Sequence, residues 1–530
     1  MQNAVLKAMG DSSKDDKVIT TQASRQSSEA QEGLTGITAT ADVKQKSVRG
    51  GAATLIGQGV TMAMQIGTTL ILARLLSPAD YGLQAMVLTL VNLFSLFKDA
   101  GLSAATVQRE SLTHEQISTL FWINVALGAV LTVAVAAAGP ILAAFYKEPR
   151  LLWVTVASAT VFLSSSFTFQ HNALLNRAMR FTTSVKIDIL SCTIGAAIAI
   201  GMAALGCGYW SLICQNISLP IVGAVAVWIA MPWIPGRPRW TPEIHSMVRF
   251  GGTVSVNSFV VYIAYNMEKV LLGRFWGAAP LGLYTRAYQL ASLPMQQFNN
   301  AVGGVVFPAL SRLQSDPQRL RRSYLKSHSL VVSLTVPIVV GCTLFADEIV
   351  RIMLGPKWIG AALILRLLSP TILVFALINP LSWLLRATGR VARSLKIALF
   401  IAPVVILGIL AGIRQGPPGV AMGYSAAMVL LFGPLVAWAK HDTGITTSDY
   451  LDCIKRPLTA GALGAAGAWL FKLAFHNSIS PIPLFLVGLT IFFAVYAGLL
   501  LFVMGQRAVY ADLLSSLFQQ KQGLPEKSQA

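Results

Sequence analysis

The residues that could carry chemistry are charges set inside apolar runs. Lys98 and Asp99 stand late in one run, in line with Gln84, Asn92 and Ser95. Glu268 and Lys269 end another. Arg286 begins a polar stripe that continues through Gln289, Gln296 and Asn299, and Asp188 and Arg366 lie in two further runs. A charge at the centre of a bilayer costs about 2.5–3.5 kcal/mol on insertion scales, so each needs a wet cavity or a partner. Adjacent residues on a helix do not share a direction, so neither Lys98–Asp99 nor Glu268–Lys269 is satisfied as a pair along its own helix.

Such residues offer a definite chemistry: cations and amides that hold an anion, and an acid that exchanges a proton or Na⁺. The candidate substrate-binding residues are Gln58, Gln65, Lys98, Tyr265, Lys269, Arg274, Arg286 and Gln289, and the candidate ion-coupling acids are Asp99, Asp188 and Glu268. A plainer reading competes, in which Lys98 and Arg274 reach to the membrane interface while Asp99 and Glu268 form structural pairs. Cations outnumber acids in the set, which favours an anion-handling cavity. Catalytic and metal constellations are not found. The chain has no G-x-x-x-x-G-K-[ST], no H-E-x-x-H and no paired Cys/His spacing, and its five cysteines lie mostly in apolar segments. An enzyme is not expected, and neither is a cofactor beyond an H⁺ or Na⁺ coupling ion.

The elements that must position these residues begin at Arg49. Thr54, Gln58, Thr61, Gln65 and Thr68 follow at steps of four and three, on one face of a helix long enough to cross a bilayer. The pattern returns two hundred residues on. Arg49, Gly51, Arg74 and Gly82 are matched by Arg249, Gly251, Arg274 and Gly282, and the later copy carries Ser255, Ser258, Tyr262, Tyr265 and Lys269 at helical spacing. Two copies of a polar-striped spanning helix imply two lobes with a hydrated space between them. The repeat continues in Leu174-Leu175-Asn176-Arg177 against Leu384-Leu385-Arg386-Ala387, and in Ser184 to Ile187 against Ser394 to Ile397.

Composition bounds the class. Only 12% of the 530 residues are charged and 54% are hydrophobic, where a soluble protein carries about 25% charge. The fold class is therefore all-α, a polytopic membrane protein with about fourteen spans. These are 50–74, 82–102, 117–145, 151–172, 184–205, 209–231, 248–272, 281–308, 327–346, 359–385, 397–413, 417–438, 457–475 and 482–504. Each copy of the repeat holds six, so the copies are parallel, and two spans are left over. The net charge of +19 is spread over short connections and is a topology signal rather than a nucleic-acid footprint. Even-numbered connections hold nineteen basic residues and odd-numbered ones eight, which puts both termini in the cytoplasm.

The expected organisation is a disordered tail over 1–48, an N-lobe over 49–231, a linker with an interfacial helix over 232–248, and a C-lobe over 249–438. The last two spans fill 439–504, and a second tail runs over 505–530. Thr113 and Gln116 form a capping-box pattern before the third span. Asp316-Pro317 reads as the start of a basic cytoplasmic helix.

One segment, Thr69 to Gly82 (TLILARLLSPADYG), resembles the first-helix signature of the Wzx-type polysaccharide transporters, WzxC-like, of the multidrug/oligosaccharidyl-lipid/polysaccharide (MOP) exporter superfamily. Val107 to Glu110, Phe121 to Asn124, Phe145 to Leu151, Asn172 to Arg177 and Leu354 to Trp358 are similar to other stretches of that family. The resemblance covers about residues 47 to 440. It implies two six-helix bundles around a V-shaped central cavity plus two C-terminal helices, in the bacterial inner membrane. It also implies a flippase that moves an undecaprenyl-pyrophosphate-linked oligosaccharide from the cytoplasmic to the periplasmic leaflet, for exopolysaccharide or lipopolysaccharide biosynthesis. The implied partners are that substrate, membrane lipids, and other polysaccharide-assembly proteins such as a polymerase and a chain-length regulator, with no nucleic acid. Two alternatives stay open, a drug/cation antiporter of the same superfamily and a membrane-embedded polysaccharide polymerase or ligase.

Overall fold

The computed structural model of the protein describes residues 40–98, 106, 113–239, 262–263, 266–441, 443–475, 478 and 480–505. Side chains within these are described except at 40–52, 297–301, 304–305, 391–392, 394–395 and 398. All the regular structure among the described residues is helical. The first half holds α1 (Thr40–Leu75), α2 (Pro78–Ser95), α3 (His114–Ala137), the short α4 (Gly139–Tyr146), α5 (Leu151–Arg177), α6 (Phe181–Ala204) and α7 (Trp210–Ala230). The second holds α8 (266–276), α9 (Ala278–Arg312), α10 (Pro317–Leu344), the short α11 (Ala346–Met353), α12 (Gly360–Ala387), α13 (Val391–Gly412) and α14 (Gly416–Lys440). Two more follow, α15 (Thr447–Phe475) and α16 (Pro481–Gly498).

Ten stretches among the described residues are long and apolar enough to span a bilayer, and the chain is a multi-pass membrane protein. That number is lower than the fourteen expected. One of the ten, Leu399–Lys440, covers two of the expected spans, α13 and α14. The ten do not include α2 and α9, which carry polar stripes, and most of the expected seventh span lies outside the described residues.

Polar sequence extends several helices beyond the apolar runs. The first helix begins at Thr40, so residues 40–48, expected as tail, are helical; no Pro or Gly interrupts them, and Ala, Lys and Gln are good helix formers. Asp316 caps the Arg319 amide at 3.0 Å and starts α10, a single helix that continues through the apolar run to Leu344. The Thr113–Gln116 capping box is present at 3.1 and 3.2 Å.

Packing repeats between the halves. The pairs α3·α5, α5·α7, α6·α7 and α2·α5 in the first have counterparts α10·α12, α12·α14, α13·α14 and α9·α12 in the second. The last two helices attach through α10, where the Tyr496 hydroxyl donates to Ser333 O at 2.8 Å. Residues 232–239 are extended and strapped to the start of α3. Gly236 N donates to Ser118 Oγ at 2.9 Å, Arg239 N donates to Thr119 Oγ1 at 2.8 Å, and Trp122 Nε1 donates to Gly236 O at 2.9 Å. The interfacial helix expected nearby lies outside the described residues.

Candidate functional site

The site is built where α2 meets α9. Ser77 caps α2 with a full capping box, its amide donating to Asp80 Oδ2 at 2.9 Å, and Pro78 occupies the first turn, where its missing N–H is harmless. This fixes the start of α2 against the start of α9. The contact is reciprocal. A Cβ on Gly82 would stand 1.8 Å from Ala278 O, and a Cβ on Gly282 would stand 1.8 Å from Pro78 O. Residues separated by two hundred positions therefore exchange contacts, as a local two-fold relation between the copies requires. Only glycine permits backbones this close.

The close approach brings Tyr81 and Gln84 of α2 beside Arg286 of α9. The guanidinium lies 3.8 Å from the centroid of the Tyr81 ring, a cation–π contact. Its Nη1 donates to Gln289 Oε1, and Nη2 lies 3.5 Å from Gln84 Oε1, at the limit of a hydrogen bond. Nε is buried without an acceptor among the described residues. Every described partner of Arg286 is neutral, so the site carries a net positive charge that an anion can use.

Tyr81 is fixed in turn by Trp358, edge-on at 5.2 Å, whose Nε1 donates to Ala73 O at 2.8 Å. Lys357 Nζ donates to Arg74 O at 3.3 Å, and Arg74 Nη2 donates to Ile352 O at 3.3 Å. The connections after α1, after α8 and before α12 thus meet at one end of the molecule and join its two halves.

On the other side of α9, two residues past Arg286, Tyr288 meets a second cation: Lys269 Nζ lies 5.4 Å from the centroid of the Tyr288 ring and donates to Asn266 Oδ1 at 2.6 Å. The neighbouring Glu268 is 1% exposed, and its Oε1 is 3.9 Å from Lys269 Nζ. Its Oε2 has no partner among the described residues. Lys269 stands within ion-pair distance, and leaving a buried carboxylate oxygen without a hydrogen bond is costly.

Of the residues singled out in the sequence, the structure pairs Arg286 with Gln289 and, separately, Glu268 with Lys269. The others stand apart. Lys98 lies 5.6 Å from the Phe169 ring of α5, and Arg274 lies 5.7 Å from the Phe145 ring at the joined end. Gln58 and Gln65 are exposed along α1, which packs on α6 through Gly57 and Val185, and Asp188 is exposed on α6. Asp99 and Tyr265 lie outside the described residues. Arg366 is neutralised locally by Asp347 at 2.7 Å and by Thr343 O. The candidate list lacked Tyr81, Gln84 and Tyr288, although Gln84 stood in the polar stripe that leads to Lys98. Tyr81 stood in plain view beside the repeated glycine, and only the packing of the two copies reveals what it faces.

A family model described as "Polysaccharide biosynthesis protein" matches residues 71–363, more than half of the chain. The chain is 25% identical to the lipopolysaccharide biosynthesis protein WzxC of Escherichia coli (strain K12), over 73% of this chain and 80% of that one. It is 28% identical to the teichuronic acid biosynthesis protein TuaB of Bacillus subtilis (strain 168), over 55% of this chain and 61% of that one. Its fold is that of the lipid II flippase MurJ in an inward closed conformation, with a TM-score of 0.67 at 15% identity, covering 87% of this chain and 99% of that one. From the signature at the end of α1 to the turn that carries Trp358, the chain belongs to the polysaccharide biosynthesis protein family.

Proposed function

We propose that the protein is a flippase that moves an undecaprenyl-pyrophosphate-linked oligosaccharide from the cytoplasmic to the periplasmic leaflet of the bacterial inner membrane. The observation that carries this reading is Arg286, a cation held at the junction of the two halves by a ring and two amide oxygens. A pyrophosphate head is anionic and a glycan is polar, so neither crosses hydrocarbon unaided. A positively charged site between two rocking halves replaces water around the head while the polyprenyl tail stays in lipid. WzxC and TuaB are named for lipopolysaccharide and teichuronic acid biosynthesis, and MurJ, whose fold the chain shares, is named a lipid II flippase, which supports this reading.

In this reading both termini are cytoplasmic, the two six-helix lobes are parallel, and the joined end faces the periplasm, which leaves the chamber open to the cytoplasm. Glu268 is the leading acid for H⁺ or Na⁺ coupling, since it is buried beside Lys269 and one of its oxygens has no partner among the described residues. Asp99 and Asp188 are retained as weaker candidates.

The test is a leaflet-resolved assay of the lipid-linked oligosaccharide in proteoliposomes, with and without an imposed H⁺ or Na⁺ gradient. Wild-type protein should move the substrate, and Arg286→Gln should slow it by about ten- to a hundredfold, the worth of one charge-assisted contact. Unchanged gradient dependence in Glu268→Gln would remove that acid. Transport of cationic dyes with no movement of the lipid-linked glycan would replace this reading with the drug antiporter.

A further inference from the structure

A pocket of about 200 Å³ opens in the second half between α9 and α12, on the face of α9 turned away from Arg286. Its walls come from two helical stripes. Tyr288, Ser292 and Gln296 follow one another at steps of four on α9, and Phe375 and Asn379 stand one turn apart on α12. Its floor is apolar and buried, with Ala291 and Met295 among the residues beneath. Gln296 is exposed and Asn379 partly so. The side chains of Ser292, Gln296 and Asn379 have no hydrogen-bond partner among the described residues. At a rise of about 1.5 Å per residue, Ser292 lies roughly 9 Å along α9 from Arg286.

Three properties narrow the occupant. Charge comes first: no Lys, Arg, Asp or Glu lines the pocket among the described residues, so it is not built for the anionic head. Polarity comes second: two amides and a hydroxyl stand ready at an apolar floor, and a polyprenyl chain would strip water from them and return nothing. Size comes third: drug-sized ligands occupy about 300–1,000 Å³, so this volume suits one ring and not a chain of them. A pyranose joins an apolar C–H surface to a rim of hydroxyls, which matches aromatic walls with amides at the mouth.

We propose that this pocket seats one uncharged sugar ring of the glycan, its C–H surface between Tyr288 and Phe375 and its hydroxyls on Gln296, Asn379 and Ser292. The proposal rests on the flippase reading above. It divides the labour between two faces of α9, with Arg286 taking the charge on one and the pocket taking the sugar on the other.

The probes are the methyl pyranosides of glucose, galactose, mannose and N-acetylglucosamine, offered separately to the full-length protein in nanodiscs and followed by saturation-transfer NMR. At least one should receive transfer to its ring C–H protons, and excess inorganic pyrophosphate should not displace it. Gln296→Leu and Asn379→Leu should each weaken binding about three- to tenfold, the worth of one hydrogen bond. Gln296 is exposed, so its variant keeps the test open if the other fails to fold. Transfer to none of the four, transfer unchanged in both variants, or displacement by farnesol would overturn the proposal. A parallel pyrophosphate titration separates the two claims. If pyrophosphate binds wild type and not Arg286→Gln while no glycoside binds, the pocket alone is wrong. If pyrophosphate fails as well, the flippase reading falls with it.

Discussion

Replacing Gly82 or Gly282 by alanine places a methyl group where the structure has a carbonyl oxygen. The new Cβ would stand 1.8 Å from Ala278 O in the first case and 1.8 Å from Pro78 O in the second. Real Cβ atoms essentially never come within 3.0 Å, so the two helices must part by about 1.2 Å or more. The obstacle is backbone at both positions, and no change of rotamer relieves it. Overpacking of this kind costs about 1–3 kcal/mol. The whole of that penalty falls on the joined arrangement, because separated halves do not make the contact. A shift of 1–3 kcal/mol changes an equilibrium by about 5- to 150-fold.

Electron–electron resonance distances between nitroxides at 147 and 351, exposed positions on the two halves, would read this in a cysteine-free background. Wild type should give mainly the short, joined distance. Gly82→Ala should populate a longer one, and the double variant with Gly282→Ala should add less than the two singles combined, since both part the same pair of helices. A distance distribution unchanged by Gly82→Ala would refute the reasoning, because the glycine contact would then not be what joins the halves.

Other perturbations follow from single contacts. Arg286→Lys keeps the charge but loses the planar fork, so it should retain weak transport where Arg286→Gln retains little, as measured by the proteoliposome assay. Trp358→Phe keeps the edge contact with Tyr81 but strips the 2.8 Å bond from Ala73 O, and thermal unfolding in detergent should report a loss of about 1 kcal/mol. Lys472→Met leaves Glu348, 6% exposed, without its 2.8 Å partner; it should destabilise by about 3 kcal/mol, and Glu348→Gln in the same chain should restore much of that. Glu148, in the connection after α4, is held below the usual carboxylate range by a two-point hydrogen bond from Arg150. Its contribution to stability is therefore present above the ordinary carboxylate value and is lost as pH falls through the lowered folded value. The melting difference between wild type and Glu148→Gln should be flat from neutral pH downward and vanish only in acid.

The helices were legible wherever hydropathy decides them. The expected spans 151–172, 184–205, 209–231, 359–385 and 417–438 lie on α5, α6, α7, α12 and α14 within a few residues. Apolar windows cannot see polar helix, so α1, α10 and α15 begin ten residues before the expected spans. Side-chain caps supply the signal: Asp316-Pro317 marked the start of α10, while the cap of α15 was left unread. Thr446 and Asp449 cap α15 at 3.0 and 3.2 Å in a T-x-x-D pattern that is plain in the sequence. The break at Gly139-Pro140, which divides α3 from α4, was equally readable from Pro in the first turn. The site was legible only in part. Charge in an apolar run marked Glu268, Lys269 and Arg286, because burial of charge is costly wherever it occurs. It could not tell Lys98, resting on Phe169, from Arg286, which bridges the halves, because the difference lies in the partner helix.

The neutrality of the groups around Arg286 has a physical consequence for transport. A carboxylate there would form a buried ion pair, and breaking such a pair costs about 3–5 kcal/mol. An arriving anion would have to displace that partner before it could bind. A ring face and amide oxygens hold the same guanidinium for about 0.5–2 kcal/mol each, enough to orient it and little enough to surrender it. The surrender matters, because Tyr81 and Gln84 belong to one half and Arg286 to the other. An anion that draws Arg286 away from them removes a strut from the junction. On the proposed reading the strut and the charge that meets the cargo are one residue, so binding on one side weakens closure on the other. Moving such a two-state equilibrium from 1:99 to 99:1 takes about 5.5 kcal/mol of differential binding. The junction's few contacts, each worth about 1 kcal/mol, are of the size a bound pyrophosphate could overcome, and one buried ion pair in their midst would not be.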